Sequence, residues 1–258
     1  MHDWDPALYQ RFESERTRPA VELLARVSHP APRHIVDLGC GNGNSTQLLL
    51  ERFPQSQLIG LDNSEAMLAS ARKRLPGVPF VQADIADWAP TVAPDLIFAN
   101  ASLQWVAGHA GLFARLMRCL APGGVLAVQM PDNLDQPSHQ LMRELASQSA
   151  WRDQLAHAAD QRAALLSVEA YYDLLAPMAC RVDIWHTAYR HVMPSVQAIV
   201  EWLESTGLKP FLDPLSAVLR DAYLQAYTQR IGEAYTERAD GHRLFAFPRL
   251  FIVAQRAP

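Results

Sequence analysis

Asp37-Leu38-Gly39-Cys40-Gly41-Asn42-Gly43 joins a short apolar run at residues 34–36 to a helical pattern that begins near Asn44. A strand, a glycine-rich turn and a helix in this order bind nucleotide-like ligands, because the N–H groups at the start of the helix attract anions. Glycine allows a tight turn, close approach of the backbone to a ligand, and packing of the helix against the strand. The stretch therefore predicts a nucleotide-type site.

Apolar runs and helical patterns alternate around this turn, which predicts an α/β fold with a parallel sheet and helices on both faces. The predicted strands of this region are 34–36, 57–61, 78–83, 95–99 and 125–130. Polar residues stand at four strand ends, namely Asp37, Asp62, Asp84 and Asn100. The carboxyl ends of parallel strands are where such sheets bind ligands, so we expect these side chains to line one site.

The regular alternation stops at Pro131, and helical patterns predominate in the rest of the chain. Helices are predicted at 135–178, 195–204 and 213–235, and strands at 182–192 and 243–255, the last interrupted by Pro248. We find neither repeats nor a linker, so the prediction is one domain, 1–258. Its core comprises about 28–132, 180–193 and 242–258, and a helical lid comprises 1–20, 133–179 and 194–241.

Composition excludes several classes of protein. With 49 % hydrophobic and 19 % charged residues, the 258-residue chain is typical of a globular protein, and its formal charge of −4 disfavours nucleic acid. The three cysteines lack metal-ligand spacing and are too few for a disulfide framework, which predicts no metal site and a reducing compartment. No signal peptide or membrane-spanning run is present, so we expect a soluble, cytoplasmic protein.

The glycine turn has the form Asp-x-Gly-x-Gly-x-Gly, and Asn44 stands where a dinucleotide fingerprint requires glycine. This pattern resembles the first motif of class I S-adenosylmethionine-dependent methyltransferases. Three further segments resemble later motifs of that class in the same order: Gln82-Ala83-Asp84-Ile85, Pro94-Asp95-Leu96-Ile97-Phe98 and Leu120-Ala121-Pro122-Gly123-Gly124. The resemblance implies a Rossmann-like, mostly parallel sheet of seven strands whose last strand is antiparallel.

The same resemblance implies a site for S-adenosylmethionine. Asp37 would bind the ammonium group, Asp62 both ribose hydroxyls, and Asp84 the exocyclic amine of adenine. The methionine carboxylate would lie at the helix N-terminus after Gly43. The implied cofactor-binding residues are Asp37, Gly39, Cys40, Gly41, Gly43, Asp62, Asn63, Met67, Asp84, Ile85, Asn100 and Ala101. The alternative for each acid is a structural role in a cap or turn, which aspartate often fills.

Segments outside these motifs are similar to the trans-aconitate 2-methyltransferase family. They are Trp4-Asp5-Pro6 with Arg16-Thr17-Arg18-Pro19-Ala20, Asn100 to Val106, Glu201-Trp202-Leu203, Thr206 to Leu212, and Phe247-Pro248-Arg249-Leu250-Phe251. Ala107-Gly108 departs from the pattern in a loop, where a proline and an acid are expected. The resemblance implies methyl transfer to one carboxylate of a small trianionic acid.

A carboxylic acid is already ionised at neutral pH, so this transfer needs no general base and no metal. Arginines are expected to bind the carboxylates that do not react, because their planar fork suits bidentate pairing. Neutral donors are better suited to the attacking oxygen, since a tightly bound cation would lower its nucleophilicity. The predicted substrate-binding residues are Tyr9, Arg16, Arg18, Gln104, Trp105, Trp202 and Arg249, and for both tryptophans a core role is the alternative.

Three other functions remain open from the sequence. A carboxyl methyltransferase for a malonyl group on a carrier protein would share the segment around Gln104 and Trp105. A non-catalytic S-adenosylmethionine-binding protein would keep the glycine turn without an acceptor site. A nicotinamide dehydrogenase is disfavoured by Asp37 and Asn44. We expect neither a nucleic acid nor a membrane as partner, and a monomer rather than an oligomer.

Overall fold

The structure of the protein is a computed structural model that describes residues 13–162 and 164–258. The side chains of residues 13, 14, 16 and 161 are also outside the description. Tyr9 and most of the N-terminal segment singled out from the sequence therefore lie outside the described residues.

Seven strands and ten α-helices are described. The strands are β1 (His34–Leu38), β2 (Gln57–Asp62), β3 (Phe80–Gln82), β4 (Leu96–Asn100), β5 (Val125–Pro131), β6 (Ala179–Met193) and β7 (Arg243–Arg256). The helices are α1 (Glu13–Ala25), α2 (Asn44–Arg52), α3 (Glu65–Arg74), α4 (His109–Cys119), α5 (Pro137–Ala146), α6 (Arg152–Leu155), α7 (Val168–Leu175), α8 (Val196–Glu204), α9 (Lys209–Leu212) and α10 (Ala217–Ala234).

The strands form one sheet in the order β3-β2-β1-β4-β5-β7-β6. Neighbouring strands from β3 to β5 are parallel, with Asp37 of β1 opposite Gly60 of β2 and Phe98 of β4. β7 is antiparallel to both of its neighbours. The predicted fold class is thus confirmed, including the antiparallel last strand. The order reverses at β1 and β4, the point at which open α/β sheets bind ligands beyond their carboxyl ends.

Two compact units divide the chain. The first, which we call the sheet unit, comprises Glu13–Pro131, Leu165–Thr187 and Leu250–Pro258. The second, the helical unit, includes Asp132–Ala164 and Ala188–Arg249. These bounds differ from the predicted core and lid. Residues 13–20 and 165–179 of the predicted lid fall in the sheet unit, whereas residues 188–193 and 242–249 of the predicted core fall in the helical unit. Tyr171 and Leu175 of α7 explain the place of residues 165–179, since both are fully buried in the apolar core of the sheet unit.

The predicted helix at 135–178 is instead three short helices, α5, α6 and α7, because its apolar residues serve two separate cores. Met142 and Trp151 belong to the core of the helical unit, whereas Tyr171 belongs to the core of the sheet unit. β7 is continuous through Pro248, so the interruption expected there was wrong. β5 ends at Pro131, and beyond it the Pro248 carbonyl accepts the Asp132 N–H at 3.0 Å.

None of the described helices has both the length and the apolar composition that crossing a membrane requires.

Two serines at helix N-termini offer a matched test of side-chain capping. The Ser195 hydroxyl accepts the Ala198 N–H at 3.1 Å, whereas Ser216 occupies the same position of α10 without a side-chain cap hydrogen bond. Ser195→Ala should lower the free energy of unfolding by about 1 kcal/mol, and Ser216→Ala by clearly less. Chemical denaturation of both variants measures the difference. Equal losses would show that the hydrogen bond at Ser195 does not contribute.

Candidate active site

Asp37 is a fully buried carboxylate in β1. Its Oδ2 accepts the hydroxyls of Ser45 and Thr46, each at 2.7 Å, from the first turn of α2. Its Oδ1 has no hydrogen-bond partner among the described residues. Burial raises the pKa of Asp37 to about 6, the charge of Asp62 adds to the rise, and the two hydroxyls oppose it. One oxygen is thus anchored, while the other is buried and open to a cationic donor.

The glycine turn has left-handed φ angles of +73° at Gly39 and +54° at Gly41. A Cβ at Gly39 would lie 2.2 Å from Ser102 Cβ, so this glycine permits contact with the chain after β4. A Cβ at Gly43 would lie 3.3 Å from Ala71 Cβ of α3. A Cβ at Gly41 would meet no described atom within 4 Å. Gly39 and Gly43 therefore serve packing, whereas Gly41 borders open space where a ligand can approach the backbone.

Asn42 adds a donor to this turn that the sequence prediction did not include. Its side chain is 2 % exposed, and its Nδ2 has no hydrogen-bond partner among the described residues. α2 begins two residues later, and the first N–H groups of a helix have no partner within it. A buried amide donor beside a helix N-terminus suits an anionic group.

Asp62 ends β2 and is half-buried. Its Oδ2 accepts the Gly41 N–H and its Oδ1 accepts the Ser64 N–H, both at 2.9 Å. A carboxylate has about four acceptor positions, and these two backbone bonds fix its orientation. Asp62 thereby links the glycine turn to the start of α3.

The remaining predicted cofactor residues of this region differ in exposure. Asn63 and Asp84 are exposed, whereas Met67 is buried in α3. Asp84 Oδ1 accepts the Ala86 N–H at 2.8 Å, which is the turn role proposed as the alternative from the sequence and leaves Oδ2 outside that bond. Ile85 is half-buried, and its carbonyl accepts Arg115 Nη2 at 2.6 Å.

Cys40 is buried, and burial raises the pKa of its thiol, with the charges of Asp37 and Asp62 adding to the effect. A protonated, buried thiol is unreactive, so Cys40 is suited to be a small turn residue and not a nucleophile.

The end of β4 carries a backbone strain that the sequence did not reveal. Ala101 has φ +56°, the one positive φ of a non-glycine residue within residues 13–162 and 164–258. Such strain costs about 1–2 kcal/mol and is typical of functional sites. The Ala101 carbonyl accepts Gln104 Nε2 at 2.7 Å, which fixes the amide of Gln104. Gln104 Oε1 and Asn100 Oδ1 are buried without a hydrogen-bond partner among the described residues.

Three buried acceptor atoms without described partners therefore belong to neighbouring strand ends: Asp37 Oδ1 from β1, and Asn100 Oδ1 and Gln104 Oε1 from the end of β4. Buried polar atoms are normally hydrogen-bonded. Acceptor atoms of this kind suit a ligand with hydrogen-bond donors, such as an ammonium group. The Asn42 donor suits an anionic group instead, so both kinds of polar atom are available at this edge of the sheet. Among described residues, no group of His, Cys, Asp or Glu is arranged to hold a metal ion.

The predicted substrate residues of the sheet unit are not equivalent. The side chain of Arg18 is 67 % exposed, and it pairs with Glu22 at 2.8 Å, one helical turn away. This surface ion pair favours the alternative that Arg18 is a surface residue. Arg16 lies on the same helix, and its side chain is outside the description. Trp105 is half-exposed in a short 3₁₀ segment after β4.

The two predicted substrate residues of the helical unit are both buried. Trp202 is 1 % exposed and packs against His191, Phe245 and Phe247, with ring centroids 4.8, 6.1 and 5.7 Å away, which favours its core role. Arg249 is 4 % exposed, and its guanidinium lies 4.7 Å from the centroid of the Phe247 ring. A buried, aromatic-bound guanidinium is suited to pairing with a carboxylate in a dry environment.

The sequence prediction missed Asn133 and Arg162, a buried amide and a half-buried guanidinium that are hydrogen-bonded to each other. Asn133 follows β5, and Arg162 stands 29 residues later at the end of a 3₁₀ segment. Helical or strand periodicity does not extend over that distance, so the sequence did not indicate this contact. Ser45 and Thr46 were missed as well, although hydroxyls in the first turn after Gly43 are visible in the sequence.

Comparison with known proteins gives three findings. Residues 35–124 match the family model described as a methyltransferase domain. Proteins named trans-aconitate 2-methyltransferase are 99 % identical in Acidovorax sp. (strain JS42) and 62 % identical in Paracidovorax citrulli (strain AAC00-1), each with 100 % of both chains covered. A phosphoethanolamine N-methyltransferase structure from Haemonchus contortus, with phosphomonomethylethanolamine and S-adenosylhomocysteine, aligns at a TM-score of 0.58 and 18 % identity. It covers 93 % of this chain and 53 % of that chain, a likeness of fold alone.

Proposed function

Because the chain belongs to the trans-aconitate 2-methyltransferase family, we propose that it is an enzyme that uses S-adenosylmethionine to methylate one carboxylate of trans-aconitate. The observation that carries the cofactor half of this proposal is the anchored Asp37 carboxylate, whose Oδ1 is buried and open to a cation. The proposed acceptor, trans-aconitate, is supported by the high sequence identity over the full length with relatives of that name.

The ends of β1 and β4 would bind the amino-acid part of the cofactor. Asp37 Oδ1 is suited to accept from the ammonium group, with Asn100 Oδ1 and Gln104 Oε1 as further acceptors. Asn42 Nδ2 and the N-terminus of α2 would donate to the carboxylate. In this assignment Gln104 binds the cofactor rather than the attacking oxygen, because its buried Oε1, an acceptor, is the atom without a hydrogen-bond partner among the described residues.

The ends of β2 and β3 would bind the nucleoside. Asp62 is oriented by two backbone N–H groups, and a carboxylate at the end of β2 is suited to accept from two ribose hydroxyls. Asp84 Oδ2 would accept from the exocyclic amine of adenine, since Oδ1 is held by the Ala86 N–H. Ile85 and Met67 would provide apolar contacts.

The chemistry asks little of the protein beyond orientation. S-adenosylmethionine supplies a methyl group on a sulfonium, which is electrophilic without further activation. The acceptor carboxylate is ionised at neutral pH, so no side chain needs to remove a proton. Protein residues would hold the attacking oxygen in line and exclude water, because opposite charges neutralise each other during the transfer.

Arginines would bind the carboxylates that do not react. Arg249 is the described arginine of the predicted set that is buried, and Arg16 remains a prediction because its side chain is outside the description. Tyr9 and Trp105 remain the predicted neutral donors. Arg18 and Trp202 are left out of this set on the basis of their surface and core environments. We propose a small-molecule acceptor, and a monomer stays a prediction from the sequence.

Methyl transfer from labelled S-adenosylmethionine to a panel of small polycarboxylates tests the proposal. We expect trans-aconitate to be esterified once, and the rate at saturating substrates to stay level between pH 7 and 9, because no general base titrates in that range. The panel should include a malonyl group on a carrier protein. Esterification of that conjugate alone, or of no member while the cofactor binds, would contradict the trans-aconitate assignment.

A further inference from the structure

Asn133 and Arg162 form a polar pair inside the helical unit. Asn133 is 1 % exposed, and its Oδ1 accepts Arg162 Nη1 at 2.8 Å. Because arginine has only donors, this bond identifies the oxygen and the nitrogen of the Asn133 amide. The amide nitrogen must therefore point away from the guanidinium.

Asn133 Nδ2 is buried and has no hydrogen-bond partner among the described residues. Asn133 is held in place by Arg162, so its amide cannot turn without losing a charge-assisted bond. Buried side-chain donors normally have a partner, and one that lacks it indicates a ligand or a water. Since Asn133 Nδ2 is a donor, any ligand that it binds must carry a hydrogen-bond acceptor.

The charges around the pair favour an anion. Arg143 lies in the same group, with its Nη2 donating to the Leu134 carbonyl at 2.8 Å. Burial lowers the pKa of Arg162 to about 10, Asp132 opposes the shift and Arg143 adds to it, so the guanidinium stays charged at neutral pH. Burial lowers the pKa of His139 to about 3, with both arginines contributing, so this histidine is neutral. Among the described residues, the charged groups that act on the pair or on His139 are thus two half-buried guanidinium groups and the exposed carboxylate of Asp132.

Asn133 is also close in sequence to the end of a core strand. It is the second residue after Pro131, the last residue of β5. Parallel sheets bind their ligands beyond the carboxyl ends of the strands. A buried donor in the segment after β5 is therefore a candidate for ligand binding.

We propose that Arg162 and Asn133 bind a carboxylate of the acceptor that does not react, the guanidinium and the amide N–H both donating to its oxygens. This inference rests on the proposed function and deepens it by naming acceptor-binding residues. It adds to the predicted arginine set two residues that no pattern in the sequence indicated.

Asn133→Asp separates binding from structure. Aspartate keeps the size and the oxygen that Arg162 needs, so a structural role would survive or improve. It replaces the donor by a negative oxygen, so a carboxylate-binding role would be lost. We expect the Kd of trans-aconitate, measured by calorimetry on protein loaded with S-adenosylhomocysteine, to rise about 100-fold for Asn133→Asp and for Arg162→Gln. Arg162→Lys should lose less, because it keeps the charge without the fork.

Controls are a distant variant and a truncated acceptor. Arg230→Gln removes an exposed arginine of the same unit, which pairs with Glu144 at 2.9 Å. This variant should bind trans-aconitate and S-adenosylhomocysteine as tightly as the unchanged protein. The second control is a dicarboxylate that resembles trans-aconitate but lacks one of its three carboxylates. If the missing carboxylate is the partner of Arg162, Arg162→Gln should weaken binding of this dicarboxylate much less than binding of trans-aconitate. Unchanged affinity for S-adenosylhomocysteine would exclude general misfolding.

The outcomes are distinguishable. Weaker trans-aconitate binding by both variants, with cofactor affinity retained, supports the pair. Binding of trans-aconitate by Asn133→Asp and Arg162→Gln as tightly as by the unchanged protein would overturn it and leave the proposed function intact. Failure of the unchanged protein to bind or methylate any polycarboxylate would overturn both.

Discussion

Asp37→Asn should make the ligand-free protein more stable and almost unable to bind S-adenosylmethionine. The asparagine oxygen can still accept the hydroxyls of Ser45 and Thr46, which donate to Oδ2 in the structure. The amide nitrogen then occupies the position of Oδ1 and presents a donor to the ammonium group. We expect cofactor affinity to fall at least about 100-fold, because a charge-assisted bond is lost and a donor faces a donor.

The gain in stability follows from the direction of the pKa shift. Burial raises the pKa of Asp37 from 3.8 to about 6, so the folded protein binds this proton more tightly than the unfolded chain. Stability therefore decreases as pH rises from about 4 to about 6, by about 3 kcal/mol for a shift of this size. The asparagine variant lacks this penalty at neutral pH.

Thermal unfolding of the ligand-free proteins at pH 4 to 8, with calorimetric titration of the cofactor, measures both effects. The difference in stability between the two proteins should be smallest near pH 4, grow between about pH 4 and 6, and stay constant above about pH 6. Cofactor affinity of the unchanged protein should fall below that pH as Asp37 becomes protonated. A variant that is less stable at pH 8, or one that keeps its cofactor affinity, would refute the role assigned to this carboxylate.

Gly39→Ala and Gly41→Ala should differ sharply although the substitution is the same. At Gly39 the new methyl would lie 2.2 Å from Ser102 Cβ, in addition to the strain of φ +73°. The Ser102 hydroxyl donates to the Leu38 carbonyl at 2.6 Å, so the serine cannot move aside without losing a buried bond. We expect Gly39→Ala to lose about 3–5 kcal/mol of unfolding free energy.

At Gly41 the new methyl would meet no described atom within 4 Å, so only the strain of φ +54° remains, about 1–2 kcal/mol. That methyl would instead enter the space assigned to the cofactor. Gly41→Ala should therefore fold and bind S-adenosylmethionine weakly, which denaturation and calorimetry measure together. Normal affinity in Gly41→Ala, or normal stability in Gly39→Ala, would contradict the separate roles of the two glycines.

The sheet was predictable because its signals are local. Each parallel strand is a short apolar run next to a turn, and the acids at the strand ends mark the carboxyl edge. The caps are local too, since Ser64 and Ser195 precede helical patterns and each hydroxyl accepts the N–H of the residue three positions later. The region after Pro131 was less predictable, since alanine-rich segments are compatible with one long helix. Whether an apolar residue such as Tyr171 joins one core or another depends on contacts distant in sequence.

The site divides in the same way. The glycine turn, Asp62 and Gln104 could be found from motifs, whereas the hydrogen-bond partners of their atoms could not. That Gln104 donates to Ala101, that Asp37 keeps one oxygen open and that Arg18 pairs with Glu22 are properties of packing. Arg162 and Asn133 come together only on folding, so no pattern in the sequence pointed to them.

The predicted cofactor residues, from Asp37 to Ala101, all belong to the sheet unit, whereas Asn133, Arg162 and Arg249 belong to the helical unit. Under the proposed assignment, substitutions in the helical unit would alter the choice of acceptor while the methyl-donor residues stay unchanged. Selection, natural or in the laboratory, would then diversify the carboxylic acids that are esterified without changing the residues that bind the methyl donor. Libraries directed at new acceptors would best be confined to Asp132–Ala164 and Ala188–Arg249.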